Sequence, residues 1–159
     1  MTTADPRVYF LLQRAAHRLK TAADRISIGA ASVTTTQVAV LMVVDQSPGC
    51  TQRHVATTLD QGEPAMATMV SRLQAQGLLD KTPHPREHRA ASLELTDAGR
   101  TTLHAAGSEL VDFNTRIRDV LGPDLAAVSN GLTRLLETDL ANKPGPSGEP
   151  AEAERLPAD

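Results

Sequence analysis

Residues 50–96 read CTQRHVATTLDQGEPAMATMVSRLQAQGLLDKTPHPREHRAASLELT. Thr51 is placed to cap a short helix that turns Val55, Ala56 and Leu59 inward. Asp60, Gln61 and Gly62 make a turn. A second helix is expected from about Glu63 to Gln76, because Met66, Met69, Val70 and Leu73 recur at i, i+3, i+4 and i+7. Pro64 falls in its first turn, where a missing N–H costs nothing, and Gly77 is its stop. Leu79 to Thr82 pairs antiparallel with 91–95, where Ala91, Leu93 and Leu95 face inward and Ser92 and Glu94 outward. A Pro-bounded basic loop joins the two strands. Two short helices, a strand, a basic loop and a strand, in that order, make a winged helix-turn-helix. A helix of this size fits the major groove of a duplex, and the loop beside it reaches backbone or minor groove.

The face of the second helix opposite its apolar stripe carries Pro64, Thr68, Ser71, Arg72 and Ala75. Arg72 pairs with a phosphate or a guanine edge in this reading, and Thr68 and Ser71 with phosphate or base edges. Pro64 and Ala65 are small enough to meet thymine methyls, and Thr51 and Gln52 open the preceding helix on the same side. Strong donors are few, so direct readout is thin. In the loop, Pro83 and Pro85 stiffen the chain, Arg86 and Arg89 supply permanent cations, and His84 and His88 titratable ones. Glu87, two residues before Arg89, orients its guanidinium, and an arginine held that way suits a narrow minor groove. Replacing Arg89 with Ala is then expected to abolish specific binding.

Upstream, Val8, Leu11, Leu12, Ala15, Leu19, Ala22 and Ile26 follow helical spacing from about Arg7 to Ile28, with Gly29 as the stop. Thr34 to Thr36 offer caps for a helix through Gln46 that carries Val38, Leu41, Met42 and Val44; Ser47-Pro48-Gly49 breaks it. Downstream, Thr96-Asp97 opens a long helix to about Leu121, carrying Leu103, Leu110, Phe113 and Ile117. Gly122-Pro123 interrupts it, and a last helix reaches about Leu140. The remainder, NKPGPSGEPAEAERLPAD, has too few apolar groups to fold and reads as a disordered tail over 142–159. The fold class is mainly α with a small β-wing. A winged domain over 33–95 lies between a first helix (1–32) and two last helices (96–141).

Composition narrows the function classes. The chain of 159 residues is 40% apolar but only 2% aromatic, which suits a helical core of Leu, Val, Ala and Met. Net charge is −3, but residues 50–95 balance five basic against five acidic groups, and the acidic excess lies after them. The single Cys50 excludes a disulfide framework or a Cys-cluster zinc site and fits a reducing cytoplasm. No apolar run approaches the roughly 18 residues of a membrane span, and MTTADPRVYF lacks the regions of a secretory signal. His17, His54, His84, His88 and His104 have no companions at metal spacing and no nucleophile motif accompanies them, so neither an enzyme nor a cofactor is expected.

The pieces VTTTQVAVL, TQRHVATTL, MVSRLQAQGLLDK and PREHRAASLELTDAGR, together spanning residues 33 to 100, resemble the MarR family of bacterial transcription regulators. The resemblance implies a homodimer in which the first helix (1–32) and the two last helices (96–141) intertwine as a dimerisation region, with two winged lobes straddling a pseudopalindromic operator in double-stranded DNA. It makes Arg89 the wing arginine, Glu87 its carboxylate partner and residues 63–76 the recognition helix. The chain departs from the family in having Glu63, Pro64, Ala65 and Thr68 where basic or hydroxyl residues are frequent, and His88 where a second wing arginine is frequent. Specificity then rests more on DNA shape.

The resemblance also implies release of DNA, most often from a repressor, when a small aromatic or phenolic ligand binds between the dimerisation region and the lobe. His17, Met42 and Phe113 lie on helices that line that place; each reads first as a packing residue and second as a ligand contact. Cys50 reads as an inert structural thiol, with redox sensing as the other reading. The weakly basic recognition helix leaves one alternative function, a winged-helix protein-interaction module without sequence-specific DNA binding.

Overall fold

The computed structural model describes residues 7–86 and 90–140. Along them run α1 (Val8–Ala31), α2 (Thr35–Gln46), β1 (Cys50–Thr51), α3 (Gln52–Thr58), α4 (Glu63–Ala75), β2 (Leu79–Pro83), β3 (Ala91–Leu95), α5 (Asp97–Leu121), a 3-10 turn at Gly122–Asp124 and α6 (Leu125–Glu137). The architecture is mainly helical with a small antiparallel sheet, as expected for a winged helix. The expected tail at 142–159 lies outside the described residues.

The core of the winged part is where the periodicity placed it. Leu41 and Val44 of α2, Val55 of α3, Val70 and Leu73 of α4 and Leu93 of β3 are all fully buried in one cluster. Each such side chain contributes roughly 1.5–3 kcal/mol by leaving water. Thr34 caps α2 through a reciprocal box: its hydroxyl accepts from the Gln37 N–H, and Gln37 Oε1 accepts from the Thr34 N–H at 2.9 Å. Gln37 is itself buried, and its Nε2 donates to Gln76 Oε1 at 2.9 Å, tying the start of α2 to the end of α4. From α1, Asp24 accepts from the Thr35 N–H at 2.8 Å and from the Thr35 hydroxyl, and pairs with Lys20 at 2.7 Å. Burial alone would raise the Asp24 carboxyl, but the hydrogen bonds from Lys20 and Thr35 outweigh it and hold it below the ordinary carboxylate value.

Four expectations are corrected. Gly29 does not end the first helix, which runs to Ala31 and closes at a left-handed Ser32. Ala31 packs against the core, and that contact outweighs the roughly 1 kcal/mol cost of a helical glycine. A two-residue strand, β1, was not expected; it pairs Cys50 with Leu93 and Thr51 with Ser92, giving the sheet order β1-β3-β2. Because β1 and Gly49 cover that side of β3, Ser92 is buried rather than outward, its hydroxyl donating to the Gly49 carbonyl at 3.2 Å. The last helix ends at Glu137, short of Leu140, because the Thr138 hydroxyl takes the Arg134 carbonyl at 2.7 Å and its backbone turns extended.

The chain divides into two units, one ending at Ile117 and the other beginning at Arg118, so α5 belongs to both. In the first, residues 8–21 of α1 are exposed throughout, including Tyr9, Phe10 and Leu11. In the second, α6 has no buried residue, and Leu132, Leu135 and Leu136 are exposed. No single described helix is long and apolar enough to cross a membrane.

Candidate nucleic-acid interface

Helix α4 is fixed on three sides. Met66, Val70 and Leu73 anchor it to the core, with Met69 half-buried beside them. Its C-terminus closes on Gly77 at φ 71°: the Leu78 N–H donates to the Leu73 carbonyl and the Gly77 N–H to the Gln74 carbonyl, both at 2.9 Å. That pair of bonds, with Leu78 buried beside Leu73, sets the exit angle of the chain. The Gln37–Gln76 bond supplies the third restraint.

The opposite face is free. Pro64, Ala65, Thr68, Ser71 and Arg72, with Ala75, are all exposed, as the stripe required. The Thr68 hydroxyl donates back to the Pro64 carbonyl at 3.2 Å, so its lone pairs rather than its proton face outward. Arg72 is then the only cation on that face.

At the start of α3 the Thr51 hydroxyl accepts from the His54 N–H at 3.2 Å, confirming it as the cap, and Gln52 is half-buried next to it. Sequence reasoning missed their neighbour. Arg53 Nε lies 3.3 Å from Glu63 Oε1, joining α3 to the first residue of α4. With side chains 81% and 62% exposed, this pair adds little to stability. It borders a cleft of about 840 Å³ that Thr51, Gln52, Gln74, Lys81, Thr82 and Ala91 also line. Lys81 was missed as well, since its strand gives no cue to what it faces across the turn.

The wing begins at β2, whose residues from Asp80 to Pro83 are exposed. The His84 N–H donates to the Ala90 carbonyl at 3.1 Å and the Arg86 N–H to His84 Nδ1 at 3.2 Å, closing the base of the loop. Arg86 is exposed. Glu87, His88 and Arg89, expected at the tip, lie outside the described residues. A smaller cleft of about 330 Å³ behind the wing is lined by Cys50, His54 and His84. Burial pushes the Cys50 thiol up, its own backbone hydrogen bond only partly opposing, so the reactive thiolate is disfavoured. No group of three or more metal-ligating side chains occurs among the described residues.

The three residues considered for a ligand pocket are dispersed in character. His17 is exposed on α1 and its carbonyl accepts from the Thr21 hydroxyl at 2.9 Å. Met42 is 44% exposed on α2, not inward with Leu41 and Val44. Phe113 is half-buried on α5, with the Arg116 guanidinium 5.7 Å above its ring. The clefts described above are lined by other residues.

Known proteins carry this arrangement. A family model for the MarR family matches residues 31–90. The PcaV transcriptional regulator of Streptomyces coelicolor, solved with its natural ligand, is 30% identical, with 88% of this chain and 95% of that one covered and a TM-score of 0.69. The transcriptional repressor CouR, solved on a 23-mer DNA duplex, is 27% identical, with 84% and 96% covered and a TM-score of 0.67. The HTH-type transcriptional regulator BilQ of Clostridium symbiosum is 27% identical over 77 residues, which are 48% of this chain and 54% of BilQ; the match thus spans about half of that relative's length. With the exposed helix, its turn and the wing in the expected order, the chain belongs to the MarR family of winged helix-turn-helix transcription regulators, a family of regulators and not of enzymes.

Proposed function

We propose that the protein represses transcription by binding a pseudopalindromic operator in double-stranded DNA as a homodimer, and that a small aromatic or phenolic ligand releases it. The observation that carries this reading is the α4 face, exposed from Pro64 through Ala75 and held rigid from behind by the core, the Gly77 turn and Gln37. A rigid exposed helix of this length is what the major groove admits. In this reading residues 33–95 read DNA, with Thr51, Gln52, Thr68, Ser71, Arg72 and Arg86 on the duplex and Arg89 in the minor groove, oriented by Glu87 and flanked by His88. Residues 1–32 and 96–141 form the dimerisation region. The exposed apolar side chains of α1 (Tyr9, Phe10, Leu11) and of α6 (Leu132, Leu135, Leu136) support it, since apolar surface grouped on one element marks a site of association.

PcaV was solved with its natural ligand, and CouR on a DNA duplex and with p-coumaroyl-CoA, which supports both partner classes here. His17, Met42 and Phe113 remain the candidates for ligand contact. A ligand acts only by favouring the geometry that does not fit the operator.

Selection of bound duplexes from a random-sequence pool tests the reading. A palindromic consensus is expected, with binding that falls steeply as salt rises and that phenolic acids weaken. Recovery of no duplex above background overturns it and leaves a protein-interaction module.

A further inference from the structure

The cleft bordered by α3, both ends of α4 and the two longer strands has a composition that the fold alone does not require. Two cations from separate elements, Arg53 and Lys81, line it together with Gln52, Gln74 and Thr82, and the only anion among its described lining residues is Glu63. Its formal charge is therefore +1, in a chain whose net charge is −3. Glu63 opens α4, so the cleft adjoins the face assigned to the major groove.

The Arg53–Glu63 contact decides what the cleft can do. Glu63 Oε1 lies nearest Arg53 Nε. A guanidinium has five N–H donors in a planar fork. One engaged at Nε keeps its two terminal amino groups for a second anion and loses rotational freedom in doing so. Lys81 adds a point charge from β2, and the side-chain amides and hydroxyl of Gln52, Gln74 and Thr82 add neutral donors. Two cations and several neutral donors around an open cleft match a phosphodiester oxygen pair.

We propose that this cleft seats one backbone phosphate of the duplex, gripped by Lys81 and by Arg53, with Glu63 as the positioning residue that holds Arg53 in register. The proposal rests on the DNA-binding reading above and deepens it. It gives Glu63 a role that its charge beside a polyanion otherwise contradicts. Its negative charge repels loosely placed phosphates, and its bond to Arg53 favours the one that enters in register. Glu63 thereby trades affinity for discrimination.

The test uses the full chain, its selected operator and a random-sequence duplex of equal length, titrated by fluorescence anisotropy from about 50 to 200 mM salt. Arg53→Ala and Lys81→Ala are each expected to weaken both duplexes by a similar factor, roughly 3- to 10-fold. Each also reduces the slope of log affinity on log salt, and the double variant does so by about one unit per protomer, the value for one phosphate. Lys81→Arg, which keeps the charge, retains the wild-type slope. Glu63→Gln tightens the random duplex and lowers the operator-to-random ratio roughly 3- to 10-fold, whereas a purely structural role would weaken both duplexes together and lower the melting temperature. If wild-type protein binds with a steep slope while Arg53→Ala and Lys81→Ala leave that slope unchanged, the phosphate seat is overturned and the DNA-binding reading stands. An unchanged operator-to-random ratio in Glu63→Gln overturns the positioning role. If wild-type protein retains neither duplex, the DNA-binding reading itself fails, and the seat with it.

Discussion

Asp24 shows how one side chain can hold two helices together. Its carboxylate, carried by α1, accepts from the otherwise unsatisfied first N–H of α2, that of Thr35, and from the Thr35 hydroxyl. A carboxyl whose native pKa lies below its unfolded value of about 3.9 contributes stability above that value and loses it as pH falls through the native one. Asp24→Asn is therefore expected to cost about 1–2 kcal/mol at neutral pH, by weakening charge-assisted hydrogen bonds. The difference from wild type should shrink below about pH 4. Urea midpoints at pH 7 and pH 3 measure it, and a gap of the same size at both would refute the coupling. The neighbouring buried hydroxyl of Ser27 makes no hydrogen bond within the described residues; the structure offers no account of why a serine stands there.

At the level of elements, the start of α5 is bonded to the turn that ends α4. Thr96 caps α5: its hydroxyl accepts from the Gly99 N–H at 2.9 Å and donates to the Gly77 carbonyl at 2.7 Å. A Cβ on Gly99 would stand 2.1 Å from the Leu78 carbonyl oxygen, which also accepts from the Thr96 N–H. Backbone meets backbone there, so nothing flexible can yield. Gly99→Ala is expected to destabilise by upward of about 2 kcal/mol and to lower the thermal midpoint by several degrees; an unchanged midpoint would show that α5 can slide.

Much of this junction was legible beforehand. Gly77 announces a helix stop, Thr96-Asp97 a helix start, and the stripe through Met66, Val70 and Leu73 the buried side of α4. Those signals are local, and local backbone chemistry decides them. What escaped notice depends on partners far along the chain. A strand as short as β1 has no periodicity to detect, and Ser92 is inward only because Gly49 lies over it. Likewise the Arg53–Glu63 pair exists only because the turn at Asp60–Gly62 brings two helix starts together. The face of α4 was readable from spacing, whereas the cleft that completes it was not.

For the whole molecule, the contrast is between a dry winged core and helices with uncovered apolar sides. Leu41, Val44 and Val70 are fully buried, whereas Tyr9 is 68% and Leu136 89% exposed. Leaving that much apolar surface in water is unfavourable by roughly 25 cal/mol per Å², and a second copy would relieve it. Sedimentation is expected to give about twice the 16.9 kDa chain mass at micromolar concentration. Phe10→Asp combined with Leu132→Asp should shift the population toward the single-chain mass and weaken operator binding in parallel. A wild-type protein that sediments as one chain would exclude the homodimer.

The three-stranded sheet meets the opposite requirement. Its order leaves β1 and β2 as the outer strands. β1 is two residues long, and β2 carries Lys81 and a proline, Pro83, that has no N–H to offer. Each border is therefore short, and the charge of Lys81 and the missing N–H of Pro83 disfavour a stray strand at β2. A regulator concentrated along a polyanion meets other copies of itself constantly, and this sheet gives them a poor template for fibre growth.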